Sequence, residues 1–276
     1  MPLVYVDGEL LAEQDARISV FDHGLVVGDG VFETVLLHDG HAFALTRHLE
    51  RIARSAAGLG LGALDLDALR AAIGAVVATA EEPEGRIRIT VTAGRGPLGS
   101  GRLDTPHSVV VALAPLGHDE GAARVVVVPW LRNERGALTG LKTTSYAENA
   151  RALAWAAERG GDEAIFANTV GALCEGTGSN VFVVRAGELV TPPLASGCLA
   201  GVTRALVLER FGGVEREIPI GAFAPDELDE AFLTSTLRGV QPVATIDGAP
   251  LAACPGPVTA RAAAAFAALL ADEVDP

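Results

Sequence analysis

Lysine is almost missing from this chain. Its 276 residues include 21 lysines and arginines together, and only one of them, Lys142, is a lysine. Aromatic side chains are also scarce, at 5% of the residues, so base-stacking surfaces are not a prominent feature. The three cysteines, Cys174, Cys198 and Cys254, form no metal-ligand spacing, and an odd number cannot make a fully paired disulfide framework. A reducing, cytoplasmic setting is the simple expectation. Basic charge is in deficit: 35 acidic residues leave a net charge of −14. Nucleic acid and anionic membrane both need basic surface, so neither is expected as the main partner. Apolar runs such as Val125–Trp130 are far too short to span a bilayer. The N-terminus has no basic region followed by an apolar stretch, so no signal peptide is expected.

What is present is an ordered, core-forming composition, 49% hydrophobic and 20% charged. Leu3–Val6, Asp7-Gly8 and Glu9–Leu11 read as a hairpin. Leu49, Ile52 and Ala56 mark one face of a helix that Thr46 would cap, and Arg47, Arg51 and Arg54 fall on the opposite face, where solvent is the ordinary expectation. Leu66, Leu69, Ile73 and Val76 predict a second helix entered through Asp65 or Asp67. Arg86–Thr92 alternates as a strand, and Ser108–Ala114 is a continuous apolar run of the kind buried on both faces. The polar stretch 116–124 is read as a linker between a small domain, 1–115, and a larger one, 125–276. Beyond it come a strand at Arg124–Trp130, a helix at Tyr146–Arg159 with Tyr146, Ala150, Leu153 and Ala157 on one face, and strands at Glu163–Ala167 and Asn180–Val184. A helix at Val202–Phe211, a strand near Ala231–Ser235 and an alanine-rich helix after Pro257 complete a mixed α+β pattern with no internal repeat.

Glycine clusters at Gly58–Gly62 and Gly94–Gly101 match neither a dinucleotide fingerprint nor a phosphate loop, and Gly176–Asn180 is not a nucleophile elbow. Lys142 carries more information. In a chain where arginine supplies every other cation, the surviving lysine is a candidate for what arginine cannot do, which is to act as a neutral amine nucleophile toward a carbonyl. Glu175 lies in a glycine-rich turn leading into an apolar strand, at a strand mouth where ligands often bind. Ser196–Arg204 opens an apolar-faced helix whose first N–H groups, with Thr203, suit a phosphate. Thr234, Ser235 and Thr236 place three hydroxyls at a strand end.

In this order the four segments resemble the class IV aminotransferases, the fold type IV group of pyridoxal-phosphate enzymes. That group includes branched-chain aminotransferases, D-amino-acid aminotransferases and aminodeoxychorismate lyases. The resemblance runs from Phe21–Thr34 through Arg47–Arg51 to Gly256–Thr259. It implies a two-domain fold, with a smaller N-terminal α/β domain and a larger C-terminal domain of mixed strands. It implies pyridoxal 5'-phosphate held as a Schiff base on Lys142, which later shuttles the proton, and Glu175 paired with the protonated ring nitrogen. It also implies a phosphate clamped by Arg51, Val202, Thr203, Ser235 and Thr236, and Tyr146 near the cofactor's phenolic oxygen. An amino donor, a 2-oxo acid acceptor and a homodimer follow from the same resemblance.

The substrate pocket departs from the better-known members. D-amino-acid aminotransferases tend to carry an Arg-x-His clamp after the strand Arg86–Thr92, where this chain has Pro97-Leu98-Gly99-Ser100. Phe32 stands where they usually have tyrosine. The pattern ending in Thr34 leans toward aminodeoxychorismate lyases, which typically lack the Ser235-Thr236 pair. Arg88 is a candidate replacement anchor for a substrate carboxylate, an exposed strand arginine being the other reading. The expected activity is transamination of a D-amino acid or related primary amine, with aminodeoxychorismate lyase as the alternative.

Overall fold

In a computed structural model, which describes residues 3–117 and 121–276, the hairpin forms at the start of the chain. Strand β1 (Val4–Val6) pairs antiparallel with β2 (Glu9–Leu11), and Asp7 and Gly8 both take positive φ between them. The expected linker, 116–124, falls partly on 118–120, which lie outside the described residues. The chain divides into two units, one of Met1–Gly117, Leu141–Tyr146 and Val274–Pro276, the other of His118–Gly140 and Ala147–Glu273. The short stretch that carries Lys142 is therefore part of the first unit.

That unit also contains α1 (His23–Val26), β3 (Gly30–His38), β4 (His41–Ala42), α2 (Leu45–Leu59), α3 (Leu66–Val77), β5 (Gly85–Thr92) and β6 (Ser108–Ala114). Its six strands run in the order β2-β1-β6-β5-β3-β4, every described pair antiparallel. Alternation sorts the side chains: Val31, Val35, Ile87, Ile89 and Val91 are fully buried in one core with Leu49 and Ile52 of α2 and Ile73 and Val76 of α3. Asp65 caps α3 by accepting from the Ala68 N–H at 2.9 Å.

Two expectations fail here for tertiary reasons. Thr46 is not the cap of α2. The residue before the helix is Ala44, with φ 53°, and Thr46 lies in the first turn, where its N–H and hydroxyl donate to the Asp275 carboxylate at 2.9 and 2.5 Å. A carboxylate from the far end of the chain does the capping, as the positive end of the helix favours. Strand β6 is not buried on both faces: Val111 is fully buried, while its neighbours are only partly covered.

The second unit is built on a nine-stranded mixed sheet. It is formed by β7 (Ala123–Arg132), β8 (Glu163–Asn168), β9 (Leu173–Gly176), β10 (Asn180–Arg185), β11 (Glu188–Thr191), β12 (Val214–Glu215), β13 (Glu230–Ser235), β14 (Gly239–Ile246) and β15 (Ala249–Pro250). Strand β7 runs parallel to both β8 and β14, and most other pairs are antiparallel. Every residue of β8 is buried, Ile165 in a core with Val181 and Leu233, Ala164 and Phe166 in another against α4 (Ala147–Ala157). The buried side of α4 is Asn149, Ala152 and Ala156, not the expected Ala150, Leu153 and Ala157, and Tyr146 precedes the helix. Alanine on every side gives too little contrast to mark a face, and the polar Asn149 is drawn inward by its hydrogen bonds. Helices α5 (Val202–Arg210) and α6 (Pro257–Asp272) complete the unit.

Glu33 belongs to the helix-facing row of β3, between Val31 and Val35, and is fully buried. Its carboxylate accepts from Arg51 Nε and Nη2, each at 2.7 Å, and from His48 Nδ1 at 2.7 Å. Burial by itself would raise the Glu33 pKa, but the charge and hydrogen bonds of Arg51, aided by His48, hold it well below the usual carboxylate range. Burial pushes His48 below its ordinary value against the pull of Glu33.

Stability contributed by a carboxyl of depressed pKa is complete above its ordinary value and is lost as pH falls through the folded value. Glu33→Gln leaves Arg51 buried without its counter-charge, an expected loss of about 3–5 kcal/mol at neutral pH. Urea denaturation from pH 7 into the acid range checks this: the variant starts lower and declines less steeply, so the two curves converge.

Candidate active site

Lys142 reaches its place by backbone pairing. The Phe32 N–H donates to the Lys142 carbonyl at 3.0 Å and the Thr144 N–H to the Gly30 carbonyl at 2.8 Å, with Val31 and Thr143 in an antiparallel bridge. That register sets Lys142 directly opposite Phe32, on the same side of the sheet. Helix α2 holds the segment from the other direction. Ser55 Oγ accepts from the Lys142 N–H at 3.1 Å, and a Cβ on Gly58 would meet the Leu141 side chain at 2.7 Å, so the glycine leaves room for that leucine.

On this face the structure brings together four of the residues singled out by sequence. Lys142 Nζ lies 4.3 Å from the Phe32 ring centroid and 5.8 Å from that of Tyr146, and the two rings meet edge-on at 5.2 Å. The Arg88 guanidinium stacks 3.4 Å from the Phe32 centroid, and its Nε donates to Thr90 Oγ1 at 3.3 Å. Loss of hydration lowers the Arg88 pKa to about 10, while Tyr146 and Glu33 oppose the shift, so the group remains a cation at neutral pH. Thr34 pairs directly with Arg88 across β3 and β5 and is half-buried.

Arg51 is not on a solvent stripe. Arg54 is exposed and Arg47 partly so, but Arg51 is buried, on a polar stripe of α2 with His48 and Ser55 that adjoins the apolar one. Its Nε and Nη2 are engaged by Glu33. Glu33 and His48 were not singled out by sequence. A lone Glu in an apolar strand, with His and Arg three residues apart in the next helix, is the signal that could have found them.

In the second unit Glu175 ends up with both carboxylate oxygens bonded. Arg132 Nε donates to Oε1 at 3.1 Å and the Leu199 N–H to Oε2 at 2.9 Å. Asn180 Nδ2 donates to the Leu199 carbonyl at 2.8 Å, and a Cβ on Gly201 would meet Asn180 Oδ1 at 2.0 Å, so glycine is required for this approach. Glu175, Asn180 and the start of α5 are thereby tied together. Helix α5 begins at Gly201 with no side-chain cap, and Val202 and Thr203 in its first turn are buried. Uncapped N–H groups at a helix start favour an anion.

Ser235 closes β13, and its Oγ lies 3.2 Å from Arg238 Nε; Thr236 follows in the turn, half-buried. Arg238 Nη2 donates to the buried Glu163 at 2.6 Å. Glu163 also accepts from the Thr177 N–H at 2.9 Å and from Ser179 Oγ at 3.0 Å, which fixes the turn after Glu175. Burial raises the Glu163 pKa, but the Arg238 charge and the Thr177 donors prevail and lower it. Glu163, Arg238 and Arg132 were not singled out by sequence. Among the described residues no helix is long and apolar enough to cross a membrane, and no cluster of three or more His, Cys, Asp or Glu could hold a metal ion.

Residues 30–246 match the family model of amino-transferase class IV. The chain is 35% identical over 260 residues to a putative branched-chain-amino-acid aminotransferase of Methanocaldococcus jannaschii, covering 89% of this chain and 88% of that one. It is 29% identical to a D-alanine aminotransferase of Bacillus licheniformis, covering 93% of each. A solved fold IV transaminase from Curtobacterium pusillum superposes with a TM-score of 0.84 at 32% identity, covering 96% of this chain and 94% of that one. With the lysine segment, the Glu175 turn and the start of α5 all inside the matched region, the chain belongs to the class IV aminotransferases, pyridoxal-phosphate-dependent enzymes of fold type IV.

Proposed function

We propose that this enzyme transfers the amino group of a D-amino acid to a 2-oxo acid, with Arg88 taking the substrate carboxylate. The observation that carries the reading is the Phe32 ring, whose centroid lies 4.3 Å from the Lys142 amine and 3.4 Å from the Arg88 guanidinium. An amino acid carries its amine and its carboxylate on a single carbon, and a cation packed on the same ring as the lysine can hold the second while the first reacts.

The residues present fit pyridoxal 5'-phosphate. Glu175, held by two donors, is a carboxylate suited to a protonated ring nitrogen, and the uncapped start of α5 with Val202 and Thr203 suits a phosphate. Arg51, Ser235 and Thr236 are assigned to the same phosphate. Bound there, the cofactor supplies a carbonyl for the substrate amine and an electron-withdrawing ring for the carbanion at its α-carbon. Lys142 would hold the cofactor covalently, and its freed amine would carry the proton from the substrate carbon. Tyr146 and Phe32 flank this amine with their rings.

The name of the Methanocaldococcus relative favours a second reading, a branched-chain amino acid as donor. Elimination from aminodeoxychorismate is a third outcome of the same assay. Pure enzyme is given 2-oxoglutarate with D-alanine or L-leucine, and aminodeoxychorismate alone. Glutamate formed with D-alanine is the expected result, turnover of L-leucine only would replace the D-specific reading, and pyruvate only from aminodeoxychorismate would replace transamination. Arg88→Leu is expected to raise KM for amino acid and 2-oxo acid by about 10- to 100-fold, the worth of a charged hydrogen bond, while an amine without a carboxylate reacts as before. Lys142→Ala should retain no cofactor after borohydride reduction, and covalent retention would overturn the assignment.

The enzyme is also proposed to act as a homodimer. Val20, Leu25 and Leu98 are 70%, 62% and 72% exposed in the first unit, where the loop leading into α1 and the loop after β5 are joined by the hydrogen bond from the Gly96 N–H to the Phe21 carbonyl. A fully active monomer in sedimentation would count against this.

A further inference from the structure

Arg132 ends strand β7, and nothing in its sequence context marks it. Its guanidinium nevertheless has all three nitrogens engaged. Nε donates to Glu175 Oε1 at 3.1 Å, Nη2 to Asn149 Oδ1 at 2.8 Å, and Nη1 to Glu148. The plane of the group lies over the fully buried Phe166, 4.2 Å from its centroid. Phe166 is the residue directly opposite Glu175 in the β8–β9 pairing, so ring, guanidinium and carboxylate are stacked on one register position. Asn149 extends the arrangement, with Nδ2 donating to the Thr177 carbonyl at 2.5 Å in the turn that follows Glu175. A planar fork held on every edge and on one face has no rotational freedom left.

We infer that Arg132 is the positioning residue that aims the Glu175 carboxylate at the ring nitrogen of the cofactor. Glu175, Glu148 and Arg132 together carry one net negative charge, and a protonated ring nitrogen supplies the missing positive one. Without the arginine, two carboxylates would face each other with no cation between them. Their repulsion, and the loss of the donor on Oε1, would swing Glu175 off its direction. A carboxylate that must be reordered at binding has lost the preorganisation that makes it selective.

This inference rests on the assignment of Glu175 to the ring nitrogen, and the test separates the two. Apoenzyme is titrated, by quenching of its tryptophan fluorescence, with pyridoxal 5'-phosphate and with the analogue in which carbon replaces the ring nitrogen. Both ligands keep the aldehyde and the phosphate, so only the group facing Glu175 differs. The wild-type protein should prefer the natural cofactor, and Glu175→Gln should erase that preference. Arg132→Met, which keeps length and stacking without charge or donors, should cut the preference by about tenfold or more while the carbon analogue binds as before. Arg132→Lys, which keeps the charge, should restore part of it, and Arg132→Gln replaces the methionine variant if that one is insoluble. Equal weakening of both ligands would mean that Arg132 only supports the fold, and an unchanged preference would mean that it does not aim Glu175. Either result overturns the inference. A wild-type protein without any preference would instead overturn the Glu175 assignment, and the role of Arg132 would fall with it.

Discussion

The main-chain pairing of Lys142–Thr144 with Gly30–Phe32 is the constraint on which the chemistry of the first unit depends. A lysine has four rotatable bonds and a strongly hydrated head, and left at a loop tip it would sample water. Here its segment is fixed by two hydrogen bonds to β3 and a third that the Lys142 N–H donates to Ser55 of α2. The register then determines the rest. Because Phe32 is the residue opposite, the amine meets an aromatic ring, and because β5 lies on the other edge of β3, Arg88 reaches the same ring.

The division of labour between lysine and arginine follows the same physics. Arginine holds three carboxylates in a fixed direction inside the protein: Arg51 on Glu33, Arg238 on Glu163 and Arg132 on Glu175. Each of these carboxylates is 13% exposed or less, and a point charge on a flexible stem would leave its second oxygen without a partner. Glu33 is the clearest case, since one guanidinium satisfies both of its oxygens. The lone lysine is left for the proposed role, which needs an amine able to give up its proton.

Elements whose partners are close in sequence, or whose pattern is strong, were legible in advance. The first hairpin, the alternation of β5 and the Asp65 cap are local statements about turn residues, period and a side-chain acceptor. The isolated Lys142, and the order of Glu175, Thr203 and Ser235 after it, pointed to the family to which the chain belongs. Other features depend on residues far away in the chain. Thr46 reads as a cap until Asp275 arrives at the helix start, and Arg51 reads as one of three surface arginines until Glu33 is seen beneath it. For α4 the sequence offered alanine on all sides, and the buried side was decided by Asn149, whose partners Arg132 and Thr177 lie at the end of β7 and in the turn after β9.

Charged residues that support a site are the hardest to recognise for a physical reason. A buried ion pair has the same composition as a surface one, and only burial separates a contribution near zero from one that the fold cannot lose. Glu163 illustrates the difference. In the sequence it opens an ordinary strand, whereas in the fold it accepts from Thr177, Ser179 and Arg238 at once, and Arg238 in turn meets Ser235. Through that one carboxylate, the turn that follows Glu175 and the hydroxyl at the end of β13 are linked. A change at Glu163 would therefore disturb both together, although neither lies next to it in the chain.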